Sequence, residues 1–428
     1  MNSLQDPFNK DRLFNYVKTF SFPRLSGTEG EQKAVELTIK NFKDIGYKDD
    51  QIIREPFQFS DFYSTTLVQL IMIMCLTFYL ILLVVAYIDT IIAIIFITMI
   101  AIIVILIIRG LKHPETGFWG EYFGKTYSST NVFVKIPAKK NNPGNVGDLI
   151  ISAHLDSKSQ SFKTAWRIVL YRIWLFGSVL LGSLYIAYII LGFFLYNLRN
   201  FNLVFQIFIW SSTALVSFSN IMLLFLTTHN KSPGSLDNAT GMAIVFELSS
   251  YFRDNPLENF NLWFCQFSAE ELGTMGSRIF VNAREENFKK GKIFQINLDM
   301  ISSAKHSAKK NNVGYLKSYG IFPRRNISPL LGKFLDKAAM EEKLLIDGFH
   351  LSTGAHTDSV PFHLRGYDAV DITTRSAALY THDITDTPDK VDPQILSDAC
   401  KIVYRTIFNL DKDFKILSDI KTAINNDK

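Results

Sequence analysis

Hydrophobic and polar positions divide this chain into two long apolar blocks and several segments with mixed patterning. From Leu67 to Ile108 the chain carries a single charged residue, Asp89. One helix of that length would measure about 63 Å, twice the roughly 30 Å of a bilayer core. A buried soluble helix would be shorter and would show a polar stripe. The pattern therefore predicts two membrane-spanning helices with a tight return near Tyr87–Thr90.

The second apolar block predicts another helical hairpin. Ile168–Tyr196 and Leu203–Leu226 are each long enough to span a bilayer, and Asn197–Asn202 is a polar return between them. Arg172, near the start of the first segment, would extend its charge towards the membrane surface. Four spans in two hairpins are therefore expected.

The remaining segments alternate between strand and helix patterns, which is typical of an α/β layer structure. Helical periodicity occurs twice within Asp11–Tyr47. The other predicted helices are Gly241–Phe252, Ser277–Phe288, Ser328–Lys343 and Pro393–Leu410. The predicted strands are Asn131–Pro137, Leu149–Ala153, Leu262–Phe267, Lys292–Leu298 and Tyr367–Ile372.

Composition and charge exclude several classes of protein. The net charge of +5 is modest and forms no basic stripe, so nucleic acid is not an expected partner. Cys75, Cys265 and Cys400 are widely scattered, which excludes a disulfide framework and a thiolate zinc site. Residues 1–14 lack the apolar core of a signal peptide, so the first membrane segment is expected to direct insertion.

Candidate chemistry is concentrated where predicted strands end. The apolar run Asn261–Phe267 is followed by adjacent carboxylates, Glu270 and Glu271, and then by a predicted helix. Neighbouring side chains at such a turn point in different directions, so one glutamate can bind a metal while the other handles a proton. The alternative is that both only favour the positive end of a helix.

Other candidate residues occupy equivalent positions. His154 and Asp156 close a predicted strand, and residues two apart on a strand face the same way. Asp237 stands at the start of a predicted helix, Asp299 ends a strand, and His382 lies in a polar loop. Singly, these are equally explained as a helix cap, a turn residue and a surface histidine. Together, two histidines and three carboxylates at strand ends fit a metal with nitrogen and oxygen ligands, zinc above all.

Five motifs, in this order, resemble those of the co-catalytic dizinc aminopeptidases, a family that includes bacterial leucyl aminopeptidases, glutamate carboxypeptidase and the glutaminyl cyclases. The motifs are His154-Leu-Asp156, Asp237-Asn-Ala-Thr-Gly241, Ala269-Glu-Glu-Leu-Gly273, Asn297-Leu-Asp-Met300 and Tyr380-Thr-His-Asp-Ile-Thr-Asp-Thr-Pro388. Their order and rough spacing agree with the family everywhere except in the membrane blocks. The resemblance implies an α/β fold with a mixed central sheet flanked by helices, interrupted here by the two transmembrane hairpins.

The resemblance also implies which residues hold two zinc ions and which moves the proton. Asp237 would bridge both ions, in a peptide that the family usually holds cis to the next residue, here Asn238. The remaining ligands would be His154 and Asp299 for one ion, and Glu271 and His382 for the other. Glu270 would be the general base that takes a proton from the attacking water, and Asp156 would orient His154.

The same resemblance assigns the chain to one peptidase domain and its inserts. The domain would comprise residues 1–64, 110–166 and 227–428, and the hairpins would occupy 65–109 and 167–226. Leu236 replaces an aspartate that is frequent in the family but is not a ligand. Ser359 stands near the expected substrate site where the family frequently has histidine, which leaves the zinc chemistry intact and the substrate preference open.

The expected function is a membrane-embedded zinc metallopeptidase, and foremost an aminopeptidase that acts on peptides at the lipid bilayer. One alternative is a glutaminyl cyclase, which needs one zinc; others are a non-catalytic receptor or scaffold subunit and a transporter. A complete dizinc ligand set argues against the cyclase and the scaffold. The spans carry almost no ionisable residues away from their edges, which argues against a transporter. Residue preference, physiological substrate and oligomeric state stay open.

The hairpins also predict an orientation. Both returns lie on one side of the membrane, so the polar segments share the other. Basic residues flank the spans on the enzyme side, at Arg109, Lys112, Lys163, Arg167, Arg172 and Lys231, and only Arg199 lies at a return. The positive-inside rule then places the peptidase domain in the cytoplasm. Tethers of at most roughly 40 Å join Asp156 and Asp237 to the second hairpin, which predicts an active-site mouth close to the membrane, with substrate delivered along it.

Overall fold

The computed structural model describes residues 8–64, 66–111, 124–140, 146–194, 203–303, 313–320, 324–351 and 357–426. The strands are β1 Ile52–Ser60, β2 Thr126–Ile136, β3 Gly147–His154, β4 Ser159–Gln160, β5 Thr228–His229, β6 Phe260–Phe267, β7 Ile293–Leu298, β8 Val313–Tyr319, β9 Arg325–Asn326, β10 Asp347–Leu351 and β11 Asp368–Thr374. The helices are α1 Lys10–Phe20, α2 Glu29–Ile45, α3 Thr66–Ile88, α4 Thr90–Leu111, α5 Thr164–Phe194, α6 Leu203–Leu224, α7 Thr240–Asp254, α8 Met275–Asn282, α9 Pro329–Glu341, α10 Val360–Leu364 and α11 Pro393–Asn426.

One sheet of nine strands forms the centre of the fold, in the order β1-β2-β6-β3-β7-β11-β8-β10, with β9 paired to β8. The neighbours β6, β3, β7 and β11 are parallel, whereas β1–β2, β2–β6 and β11–β8 are antiparallel. The mixed α/β sheet expected from the sequence is therefore confirmed. Because four adjacent strands run the same way, their carboxyl ends lie together at one edge of the sheet.

Helices cover both faces of this sheet. Along β3, successive side chains point to opposite faces, so Ile151 packs in the larger core and Ile150 in the smaller one. The larger core contains apolar side chains of α1, α2, α7, α9 and α11, and the smaller one contains Phe280 of α8 and Phe362 of α10. Met242 to Leu248 of α7 are all fully or almost fully buried, which holds the start of this helix firmly against the sheet.

The helices α3 to α6 form the two predicted hairpins. Asp89 separates α3 from α4, and its carboxylate accepts hydrogen bonds from the backbone N–H groups of Ile91 (2.7 Å) and Ile92 (3.1 Å), which caps α4. Polar contacts join helices of different hairpins: the hydroxyls of Tyr79 and Ser178 lie 2.6 Å apart. The four helices share one apolar cluster.

Three of these helices are long and apolar enough to cross a membrane, over Thr66–Val85, Thr164–Leu191 and Phe205–Leu224. In α4, the residues whose side chains the structure describes form an apolar stretch, Ile91–Ile103, that is shorter than these three. Large apolar side chains on these helices face outwards, for example Ile88, Phe194 and Leu203. An exposed apolar surface of this extent is typical of contact with a membrane or with another protein.

The structure changes some element boundaries. The second hairpin begins at Thr164 rather than at Ile168, and the predicted helix Ser277–Phe288 runs over Met275–Asn282 and is followed by turns. The polar return at 197–202 lies outside the described residues. Sequence patterns did not predict β1, β8 and β10. Cys75, Cys265 and Cys400 are free cysteines.

Candidate metal centre

The site residues predicted from the sequence meet at the carboxyl edge of the four parallel strands. His154 is the last residue of β3 and is paired in register with Phe267, the last residue of β6. Three residues beyond Phe267 the chain reaches the two adjacent glutamates. Asp299 follows β7, and its N–H donates to the carbonyl of Ile372 in β11 (3.0 Å). Parallel pairing therefore brings side chains from distant parts of the sequence to one edge.

Asp237 reaches this edge from a turn immediately before α7. The Asp237–Asn238 peptide bond is cis, as the family resemblance implied. The amide of Asn238 donates to the carbonyl of Leu298 (2.7 Å) and accepts from the N–H of Gly241 (3.0 Å), which fixes the turn over the end of β7. A Cβ atom on Gly241 would lie 2.3 Å from the Leu298 carbonyl oxygen, so the close approach requires glycine here.

The carboxylate of Asp237 lies between two histidines and presents one oxygen to each. The Nε2 atom of His154 is 3.1 Å from Asp237 Oδ1 and 3.5 Å from Asp299 Oδ1. The Nε2 atom of His382 is 3.1 Å from Asp237 Oδ2 and 3.1 Å from Glu271 Oε2. Two groups of three potential metal ligands therefore share Asp237, and the ligand atoms of each group lie within 4.8 Å of one another.

The unsatisfied atoms of this cluster fit a pair of cations. His154 Nε2, Glu271 Oε1 and Asp299 Oδ1 are buried and have no hydrogen-bond partner among the described residues. Buried polar atoms are normally hydrogen-bonded, and several buried carboxylates this close require compensating positive charge. Imidazole nitrogens and carboxylate oxygens are ligands that zinc accepts. The residues present therefore fit two zinc ions.

Asp156 links one histidine to the glutamate pair. Its Oδ1 lies 3.4 Å from His154 Nδ1 and accepts from the N–H of Glu270 (3.2 Å), while Oδ2 accepts from the N–H of Glu271 (3.2 Å) and the hydroxyl of Ser26 (2.8 Å). The backbone carbonyl of Asp156 also lies 3.1 Å from His154 Nδ1. A ring that donates through Nδ1 keeps the Nε2 lone pair free for a metal.

The two adjacent glutamates differ in their electrostatic surroundings. Burial raises the pKa of Glu270 well above its ordinary value, with the charge of Glu271 adding to the shift. Burial and the charge of Asp237 also act to raise the pKa of Glu271, but His382 and Lys158 outweigh them and lower it to about 2. The ammonium of Lys158 lies 2.9 Å from Glu271 Oε2. Glu270 belongs to neither ligand group.

Two supporting residues were not identified from the sequence. Asp386 accepts from the N–H groups of Leu236 (2.6 Å) and Asp237 (3.1 Å) and so fixes the backbone of the bridging residue. Burial raises the pKa of Asp386 to about 7, partly offset by these hydrogen bonds. Lys158 pairs with Glu271 and donates to its carbonyl (2.8 Å). Asp386 lies inside the motif that contains His382, and Lys158 lies two residues after Asp156. Closeness in sequence to predicted site residues could therefore have identified both.

Arg24 is the third such residue, and the sequence carries no signal for it. Its guanidinium is fully buried and donates to five backbone carbonyls: Leu155 (2.7 Å), Phe20 (2.6 Å), Phe22 (3.2 Å), Pro233 (2.6 Å) and Gly234 (2.8 Å). Leu155 separates two site residues, and Gly234 precedes the turn that carries Asp237. Arg24 therefore joins the backbone segments on both sides of the metal centre. Burial lowers its pKa to about 10, so the group stays charged at neutral pH.

The fold and the two ligand groups are typical of a metal-dependent hydrolase with a two-metal centre. Residues 224–407 match the family described as Peptidase family M28. That segment contains Asp237, Glu270, Glu271, Asp299 and His382, whereas His154 and Asp156 precede it. The resemblance indicated by the sequence motifs is confirmed, and it supports a hydrolase of the peptidase class.

Individual relatives agree with this class. The chain is 25% identical to Aminopeptidase YwaD of Bacillus subtilis (strain 168) over 208 residues, which is 46% of this chain and 43%, less than half, of that relative. Among solved structures, the fold resembles an aminopeptidase from Aneurinibacillus sp. strain AM-1, with a TM-score of 0.55 at 15% identity over 94% of each chain. It also resembles a glutaminyl cyclase from an Acidobacteriales bacterium, with a TM-score of 0.53 at 16% identity over 96% of this chain and 98% of the other. These two similarities show the fold.

Proposed function

We propose that this protein is a membrane-embedded, zinc-dependent aminopeptidase that hydrolyses N-terminal residues from peptides. The observation that carries the proposal is the pair of ligand groups that share Asp237, with a further carboxylate, Glu270, beside them and outside both. Two adjacent ligand groups support a two-metal peptidase over a cyclase that needs a single zinc.

In this mechanism each residue has a separate task. Asp237 with His154 and Asp299 would hold one zinc ion, and Asp237 with Glu271 and His382 the other. The ions, when bound, would polarise the scissile carbonyl and make water a better nucleophile. Glu270 takes the proton from the attacking water and passes it to the nitrogen of the leaving peptide. Asp156 holds the ring of His154 through Nδ1, which is a positioning role.

The proposal extends to the membrane. The helices α3 to α6 would be four spans inserted between residues 1–64, 110–166 and 227–428 of one peptidase domain. Basic residues adjoin the described spans on the side of the domain, among them Lys163 and Lys231, which supports a cytoplasmic peptidase domain. The apolar outer surface of these helices supports insertion in lipid.

The test is to incubate purified, zinc-supplemented protein with a peptide that has a free α-amino group and with the same peptide acetylated at that group. Mass spectrometry should detect release of the N-terminal amino acid from the free peptide only, and Glu270→Gln should slow the release by roughly 10²–10⁴. A second peptide that begins with glutamine separates the alternatives. Cleavage of internal bonds, or formation of pyroglutamate without loss of a residue, would contradict the proposal.

A further inference from the structure

The metal centre opens into a cavity that is much larger than a single amino acid requires. The cavity has a volume of about 980 Å³ and is lined at one end by the ligands Asp237, Glu271, Asp299 and His382. Sites for whole drug-sized ligands occupy about 300–1,000 Å³. Residues of α3 and α5, two helices of the apolar hairpins, line the same cavity.

One face of α5 runs along this cavity for three turns. The residues of that face are Thr164, Arg167, Ile168, Tyr171, Arg172, Trp174 and Leu175. Their spacing of three and four residues is that of one helical face, and it covers about 16 Å at 1.5 Å per residue. The other side of the helix faces outwards, because Trp166, Val169 and Phe176 expose 65%, 43% and 49% of their surface.

The first turn of α5 is attached to the loop that carries a metal ligand. The N–H of Thr164 donates to the carbonyl of Thr381 (3.4 Å), and the two threonine hydroxyls lie 2.8 Å apart. The guanidinium of Arg167 contacts His382 through Nη2 and Nδ1. The α5 face therefore begins at the metal centre and continues away from it.

Several apolar side chains also line this cavity. Helix α3 contributes Leu67, Val68 and Ile71, and Leu226 follows α6. Together with Ile168 and Leu175 of α5, these side chains form a surface that favours apolar groups, because burial removes apolar surface from water. We call this surface, from Arg167 to Leu175 of α5 and across to Leu67–Ile71 of α3, the α5 groove.

Two polar atoms indicate that a peptide, rather than a hydrocarbon chain, occupies the α5 groove. Arg167 Nε is a buried donor and Gln160 Oε1 a buried acceptor, and both lack hydrogen-bond partners among the described residues. Both residues line the cavity beside the metal centre. A peptide that enters apolar surroundings brings N–H and C=O groups that require such partners, whereas an acyl chain brings none.

We infer that the α5 groove binds the residues that follow the scissile bond, and that it selects peptides in which those residues are apolar. The inference rests on the proposed aminopeptidase function and specifies its substrate class. An extended peptide advances about 3.3–3.6 Å per residue, so the 16 Å face accommodates four or five residues. Arg167 and Gln160 hydrogen-bond the peptide backbone at the metal end, and Ile168, Tyr171 and Leu175 contact its side chains.

Adjacent residues on α5 provide a matched pair of variants. Leu175 lies in the α5 groove, about 12 Å along the axis from Arg167, and Phe176 faces outwards. Leu175→Trp should fill the groove at the distance of the third or fourth residue beyond the scissile bond, and Phe176→Trp should leave it open. Each variant and the parent are compared on a leucyl tripeptide, on a leucyl hexapeptide with an apolar tail, and on one with a serine- and glycine-rich tail.

The parent should cleave the apolar hexapeptide with kcat/KM at least about 10-fold above that of the polar hexapeptide. Leu175→Trp should remove this preference and should lower kcat/KM for the apolar hexapeptide by a larger factor than for the tripeptide, and Phe176→Trp should behave as the parent does. Equal kcat/KM for the two hexapeptides in the parent, or an equal effect of both variants, would overturn the inference while leaving the peptidase function intact. If the parent hydrolysed an N-acyl amino acid faster than the peptides, the α5 groove would bind an acyl chain, and the inference would also be overturned. Failure of the parent to cleave any of the three peptides would instead remove the proposed function.

Discussion

Replacing Arg24 by methionine should destabilise the protein and weaken its metal centre together. Methionine keeps an unbranched apolar stem but removes every N–H donor of the guanidinium. Five carbonyls, those of Phe20, Phe22, Leu155, Pro233 and Gly234, then lose the guanidinium as a donor. The carbonyls of Phe20 and Gly234 keep a second donor, the N–H groups of Phe22 (3.0 Å) and Ala239 (3.1 Å). Two of these carbonyls belong to the segments that carry His154 and Asp237, so the effect should reach the metal ligands.

The magnitude follows from the number and type of these hydrogen bonds. A hydrogen bond to a charged group contributes about 1.5–3 kcal/mol, and a buried group left unpaired costs about 1–3 kcal/mol. The five bonds share one guanidinium, so their contributions do not add. The free energy of unfolding should therefore fall by about 3–5 kcal/mol, as it does when one partner of a buried ion pair is removed. That is a large part of the roughly 5–15 kcal/mol by which proteins are stable.

The assay is thermal unfolding of detergent-purified protein at one fixed scan rate, with zinc content measured on the same samples. Because the unfolding entropy grows with chain length, Arg24→Met should lower the apparent Tm by about 3–6 °C, and it should reduce bound zinc. The control is Arg54→Met, because the side chain of Arg54 is exposed and forms a surface ion pair with Asp49 (2.8 Å). This variant should stay close to the parent. An Arg24→Met protein that melts within 2 °C of the parent and keeps its zinc would refute the assigned role of Arg24.

Two further predictions concern the base and the topology. Glu270→Gln should keep both zinc ions while turnover falls by roughly 10²–10⁴, whereas Glu271→Gln should lose metal; equal zinc loss in both variants would refute the division of roles between the glutamates. In a background without the native cysteines, Ile88→Cys at the return of the first hairpin should react with an impermeant thiol reagent from outside intact cells, and Lys48→Cys on the peptidase domain should not. The reverse labelling pattern would invert the orientation.

Local patterning predicted much of this fold. The buried parallel strands β3, β6 and β7 read as short apolar runs because both of their faces are covered. The edge strand β1 contains Pro56 and alternates exposed and half-buried positions, so it lacks that signal. The strand β10 is largely exposed and therefore has a weak pattern of its own. Its position depends on pairing with β8, which is a long-range contact.

In the site too, sequence patterns identified the residues next to predicted strands but not those that depend on long-range contacts. Ligands at strand ends, such as His154 and Asp299, stand next to clear strand patterns, and the motifs that contain them resemble a family. Arg24 has no such context, because its partners are backbone carbonyls that a sequence does not specify. The contact of Arg167 with His382 depends on how α5 docks on the peptidase domain, and the sequence indicated only a basic residue beside a span.

The number of zinc ions bound per chain is the decisive measurement for the proposed two-metal centre. Protein purified in detergent, freed of metal and dialysed against a small excess of zinc should retain about two ions per chain by elemental analysis, because two ligand groups share Asp237. Asp237→Asn should lower occupancy of both sites together. One ion per chain would indicate a single-metal centre such as a cyclase uses, and none would contradict the assignment of the cluster as a metal centre.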